Sequence, residues 1–170
     1  MKKKMIMIIS CIVLATILLS GCEEKKSIYI ESCNDGIFHS LIIKQSKEIS
    51  GKLDYIITLL NLESWDSLEK EYDDLKDYII ICKNEIVFYS PTTSITKDII
   101  SLPWGYVKID YDAYLYDMNW YAYYGSMGAF FMQMDDYSEG QNYFQESNHQ
   151  LDNAMIHFED CTNLINSMQS

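Results

Sequence analysis

From residue 137 to the end of the chain, apolar and small side chains step by three and four in turn. The series is Tyr137, Gly140, Phe144, Ser147, Leu151, Ala154, Phe158, Cys161, Ile165 and Met168, with polar residues such as Gln141, Glu146, Asn153 and Glu159 between them. A stripe of this period, kept over about four heptads, predicts an amphipathic helix over 137–168. A second series, Trp65, Leu68, Tyr72, Leu75, Ile79, Cys82, Ile86 and Tyr89, predicts a helix over 64–90. Ser64 is positioned to cap its first turn, and Ser90-Pro91 stops it, because the residue before proline avoids the α region. The third helix is expected over 105–134, with Ile109, Ala113, Tyr116, Trp120, Tyr124, Met127, Phe131 and Met134 as its core side. One added step of four after Trp120 reads as a stutter. The first helix is expected within 31–60, on Phe38, Ile42, Gln45, Ile49, Leu53, Ile56 and Leu60. Gly36 and Gly51 each weaken it by about 1 kcal/mol relative to alanine and leave its continuity open.

The intervals 61–63 and 135–136 are short enough to make two antiparallel hairpins, which the segment 90–104 joins, with room for one helical turn at 96–101. Stripes of this length bury themselves best against one another, so the expected fold is all-α, an antiparallel four-helix bundle of two long hairpins. A short tetratricopeptide-like helical array is the alternative.

The N-terminus reads differently. Lys2, Lys3 and Lys4 precede an apolar run over 5–18 that is too short for a spanning helix, which needs about 20 residues. Then comes Leu19-Ser20-Gly21-Cys22. This stretch resembles the prokaryotic lipoprotein signal, the lipobox. The resemblance implies cleavage before Cys22, a diacylglyceryl group on its thiol, and a mature protein anchored to the outer face of a membrane. Two acyl chains, at roughly 0.8 kcal/mol per methylene, suffice for stable anchoring. Residues 1–21 are thus read as signal peptide, 22–28 as lipidated cysteine and charged tether, and 29–170 as one helical domain.

Removing residues 1–21 takes away three lysines and no acidic residue. The mature chain then carries 10 Lys against 25 Asp+Glu, a formal charge of −15, with no arginine. Nucleic-acid binding needs a basic footprint, and none exists. Anionic headgroups are repelled, so the domain is expected to stand off the membrane.

A second resemblance lies in the second hairpin. Tyr124, Met127-Gly128, Phe131, Gly140, Phe144 and Ser147, with Asp136-Tyr137 at the turn, are similar to one tetratricopeptide repeat over 124–147. It implies close helix packing, with small residues admitting aromatic ones. The pattern departs from the family where Asp152 replaces the closing proline, and no second copy follows at the family's period.

Candidate chemistry is sparse. With Cys11 in the signal and Cys22 lipidated, Cys33, Cys82 and Cys161 remain. Level hairpin turns would bring all three to one end, within roughly 15 Å along the axis. Should a bridge form, Cys33–Cys161 is the pairing that neighbouring helices favour, with Cys82 as the alternative partner; buried reduced thiols that pack as small apolar residues are the favoured reading. Glu146-x-x-His149 has the spacing of a di-iron helix, but a second such pair is missing and the two residues lie off the core stripe. Asp110-x-Asp112 lacks the rest of a calcium loop. No catalytic residue, metal site or cofactor is assigned.

The third helix is apolar on more than one side, which places it centrally or against a partner. Trp104, Tyr116, Trp120, Tyr121, Tyr123 and Tyr124 are the candidate interaction or ligand surface, since their rings combine an apolar body with a polar tip. Two functions compete on this basis. One is a non-enzymatic lipoprotein that presents these aromatics to an envelope protein. The other is a domain that captures a small molecule or glycan in a pocket lined by Trp104 and Trp120 under the 91–103 segment. A metal-dependent enzyme on the Glu146/His149 face is the remote third.

Overall fold

The structure, a computed structural model, describes residues 33–89 and 103–169. The lipobox, Cys22, the tether and the turn expected at 96–101 lie outside these residues, as does the side chain of Cys33. The described chain forms four helices: α1 (Cys33–Asn61), α2 (Trp65–Val87), α3 (Pro103–Gln133) and α4 (Tyr137–Gln169). Together they make an all-α helical bundle.

Helix α1 runs unbroken through Gly36 and Gly51. Phe38, Ile42, Gln45, Ile49, Leu53 and Ile56 are all buried, with Leu59 rather than Leu60 closing the column. Burying several such side chains, at about 1.5–3 kcal/mol each, outweighs the entropy cost of two glycines. The stripe of α2 is buried from Leu68 to Ile86. That of α4 is buried at Gly140 and from Ser147 to Ile165, Phe144 excepted, while Tyr137 at its start is exposed. Helix α3 begins at Pro103, whose missing N–H costs nothing in a first turn.

Both hairpin turns close in the same way. Glu63 and Asp135 adopt left-handed backbones, φ 53° and 58°. Ser64 N–H donates to Leu59 O and Asp136 N–H to Phe131 O, at 3.2 and 3.0 Å, the Schellman arrangement that satisfies a helix's last carbonyls. Ser64 stands at the N-cap of α2, but its hydroxyl makes no cap bond, contrary to the expectation from sequence. Its backbone N–H is already committed to closing α1, and ψ of 77° departs from the extended N-cap geometry. For α4 the capping is done by Asp136, whose Oδ1 accepts the Glu139 N–H at 3.2 Å.

Contacts run antiparallel between successive helices: Lys52–Glu71 and Gln45–Glu85 from α1 to α2, Glu69–Gln133 and Asp73–Ser126 from α2 to α3, Asp117–His157 and Tyr114–Phe158 from α3 to α4. Backbones approach most closely between α3 and α4, next between α2 and α3, and least between α1 and α2. Small residues explain the order. A Cβ on Gly128 would lie 2.8 Å from the Phe144 ring, and one on Gly140 would lie 3.1 Å from Gly128 O. The buried stripes of α1 and α2 hold no glycine and are mainly Ile and Leu.

The register of α3 corrects the sequence reading. Its core side is Trp104, Val107, Tyr111, Tyr114, Met118, Tyr121, Gly125 and Gly128, which alternate steps of three and four with no stutter. Leu115, Ala122 and Ala129 add a third buried column. The stripe expected to face inward contains Ile109, Tyr116 and Met134, which are 63%, 53% and 66% exposed. Two apolar stripes compete on one helix here. The buried one includes two glycines that hydrophobic periodicity does not count.

Candidate interaction surface

Helix α3 touches α1, α2 and α4, so three of its sides are occupied. The fourth carries Ile109, Ala113, Tyr116, Trp120, Tyr123, Met127, Phe130 and Met134 in unbroken alternating steps of four and three. Rings along this side meet in sequence. Tyr116 lies 6.4 Å from Trp120, and Trp120 lies 5.6 Å from both Tyr123 and Tyr124. Tyr124 approaches Tyr143 of α4 at 6.3 Å, and Tyr143 stacks on Phe131 at 5.3 Å. Phe131 in turn meets Phe130 at 5.5 Å. Such mutual contact restricts the orientations these rings can take. Lys83 of α2 borders the ladder, with Nζ 5.3 Å from the Tyr116 ring centroid.

The six aromatics expected to form one surface are therefore divided. Tyr116 and Tyr123 are exposed, and Trp120 and Tyr124 are half-buried on the outer side. Tyr121 belongs to the core. Its hydroxyl lies 3.5 Å from that of Tyr72, and its carbonyl accepts the Ser147 hydroxyl at 2.9 Å. Burial pushes the Tyr72 phenol up to about 12. Trp104 is buried as well, on the opposite side of α3 from Trp120 and roughly 24 Å along the axis. Among the described residues the two tryptophans therefore do not share one surface. Helical phase decides this, since positions 104 and 120 are about 160° apart around the axis.

Trp104 belongs to a cluster where the start of α1, the end of α2 and the start of α3 meet. Its ring lies 6.3 Å from Phe38 and 5.8 Å from His39. Phe38 stacks on Tyr89 at 3.9 Å. Tyr89 donates its hydroxyl to buried Asp35, and Lys108 donates to the Tyr89 carbonyl at 2.6 Å. Within this cluster His39 Nε2 and Trp104 Nε1 are buried without a hydrogen-bond partner. Burial also holds the His39 pKa below its ordinary 6.5. In the unfolded chain His39 takes up a proton below about pH 6.5, and in the folded chain only at lower pH, so stability is lost as pH falls through that window. The stability of the wild type relative to His39→Phe is expected to fall between pH 7 and pH 5, by at most about 1.4 kcal/mol per pH unit. Chemical unfolding of both proteins across that range checks it; a constant difference would refute it.

Cys82 and Cys161 are free, fully buried thiols. Burial pushes Cys82 up to about 11, and burial together with Asp110 raises Cys161 further, so both remain protonated and unreactive at neutral pH. Glu146 and His149 are exposed on α4. Among the described residues no three His, Cys, Asp or Glu side chains converge as metal ligands. Among the same residues no helix is long and apolar enough to cross a membrane.

No protein-family model, curated protein or solved structure matches the chain.

The outer side of α3 was legible in the sequence as aromatic excess. What separates Tyr116 from Tyr121 is the side of the helix, and the signal for that was Gly125 and Gly128, which mark where α2 and α4 press against α3.

Proposed function

We propose that the protein is a lipid-anchored, non-enzymatic interaction module that holds the outer side of α3 toward a partner outside the cytoplasm. The observation that carries this reading is the second apolar stripe. A helix already packed on three sides has no folding need for Tyr116, Trp120, Tyr123, Met127 and Phe130 on the fourth. Soluble monomers rarely expose contiguous apolar patches beyond a few hundred Å², and larger ones mark interaction sites. The lipobox at Leu19–Cys22 supplies the address, and the formal charge of −15 on the mature chain keeps the domain away from anionic headgroups.

Crosslinking on intact cells tests it. Wild-type protein should give a discrete adduct that is at least tenfold weaker for Trp120→Asp, a change at the centre of the stripe where binding energy concentrates. Circular dichroism of the variant should be unchanged, because Trp120 is outside the core. Equal adduct yields from the two proteins would refute the reading.

A further inference from the structure

The stripe on α3 is complementary to itself. Resting on the interaction-surface reading above, we propose that its occupant is a second copy of the chain, with the two α3 helices packed antiparallel about a two-fold axis near residues 121–122.

The residue sizes carry the argument. In an antiparallel helix pair the alternating positions of one helix face those of the other in layers. Centring the axis between Tyr121 and Ala122 sets Trp120 against the other copy's Tyr123, and Tyr116 against its Met127. It sets Ala113 against Phe130, and Ile109 against Met134. Every layer is apolar on both sides. The smallest side chain of the stripe meets a phenylalanine, which is the alternation of small and large that lets facing helices interdigitate.

The flanking positions agree. Beside the stripe lie Asp110, Asp117, Tyr124 and Phe131 on one edge and Asp112, Asn119, Ser126 and Gln133 on the other. Antiparallel pairing sets Asp110 near Phe131, Asp117 near Tyr124, Asp112 near Gln133 and Asn119 near Ser126. No acidic residue meets another. A parallel pair would set Asp112 beside the other copy's Asp117 on both edges, at a cost from like charges. From Met118 to Met134 no Asp, Glu, Lys or Arg occurs, in a chain whose formal charge is −12. The acidity of the protein therefore does not oppose contact along this stretch.

The area is also sufficient. The exposed parts of Ile109, Tyr116, Tyr123, Phe130 and Met134 amount to roughly 600 Å² per copy, or about 1,200 Å² over both, the lower edge of specific interfaces. A membrane surface fits less well. Past Lys108 the chain has no Lys or Arg, and Lys83 of α2 against Tyr116 is a single cation on the stripe, whereas helices that lie on lipid are rich in cations beside their apolar face.

Two differently tagged full-length copies, expressed together and extracted in excess detergent so that they do not share micelles, test the proposal. Capturing one tag should recover the other. Ala113→Phe crowds the Ala113–Phe130 layer and Phe130→Ala empties it, so each should lower recovery roughly tenfold or more, since each layer occurs twice. The double variant Ala113→Phe/Phe130→Ala exchanges the two sizes and should restore recovery to within about threefold of wild type, a rescue that general stickiness does not give. Recovery that is absent in the wild type, or equally low in the double variant, overturns self-pairing. If self-recovery is absent but Trp120→Asp still removes an adduct to a different protein, the interaction surface stands and only the identity of its occupant is wrong. Binding of the wild type to lipid vesicles, lost in Trp120→Asp and without self-recovery, would make the occupant a membrane and likewise overturn the proposal.

Discussion

Gly125→Ala is expected to destabilise the protein by roughly 2–3 kcal/mol, while Gly51→Ala stabilises it by about 0.5–1 kcal/mol. Both are the same change in the middle of a helix, and helix propensity alone favours alanine at both sites. Surroundings reverse the sign. A Cβ on Gly51 meets nothing within 4 Å, so the substitution only reduces the freedom of the unfolded chain. A Cβ on Gly125 would lie 2.3 Å from Cε1 and Cζ of Tyr72. That ring is fully enclosed and edge-on to Tyr121 at 5.4 Å, so it cannot swing aside without separating α2 from α3. In a domain of this size the two changes should move Tm by roughly 10 °C down and 2–4 °C up. Tyr72→Leu removes the obstructing ring, so the double variant with Gly125→Ala should lose less than the sum of the two single losses. Additive losses, or a Gly125→Ala protein as stable as wild type, would mean that α2 and α3 are not packed as described.

Cys22→Ala is expected to abolish membrane anchoring altogether. If the lipobox is used, the thiol of Cys22 alone takes the diacylglyceryl group. Two acyl chains give stable anchoring where one gives only marginal, reversible binding. Cells grown with a clickable fatty acid should label the wild-type chain, label Cys33→Ser equally, and leave Cys22→Ala unlabelled. The wild-type protein should also begin at residue 22. An unlabelled wild type, or one that retains residue 1, would remove the basis for an anchored module. The bundle and the surface on α3, described from residues 33–89 and 103–169, do not rest on this outcome.

Three helices could be read from the chain with their inward sides correct. In α1, α2 and α4 apolar positions occupy one stripe and polar residues the rest, so only one orientation hides the stripe from water. Ile42, Leu75 and Phe158 are buried where their spacing put them. The short intervals after residues 60 and 134 determined two antiparallel hairpins. What spacing could not supply was the phase of α3. Ile109–Met134 and Trp104–Gly128 are both valid heptad stripes, and hydrophobicity ranks the wrong one higher because it gives no weight to glycine. Candidate residues followed suit: Tyr116, Trp120, Tyr123 and Tyr124 reach the outer side, whereas Trp104 and Tyr121 do not.

By itself, then, the sequence determined the four helices of the described residues, their pairing into hairpins and the inward sides of three of them. A residue's own chemistry and that of its neighbours in the chain are enough for those properties. Only the tertiary structure decided which side of α3 is core. Close approach of backbones depends on what the facing helix inserts, here Tyr72 over Gly125 and Phe144 over Gly128. That contact lies far away along the chain, and it leaves the second stripe facing outward.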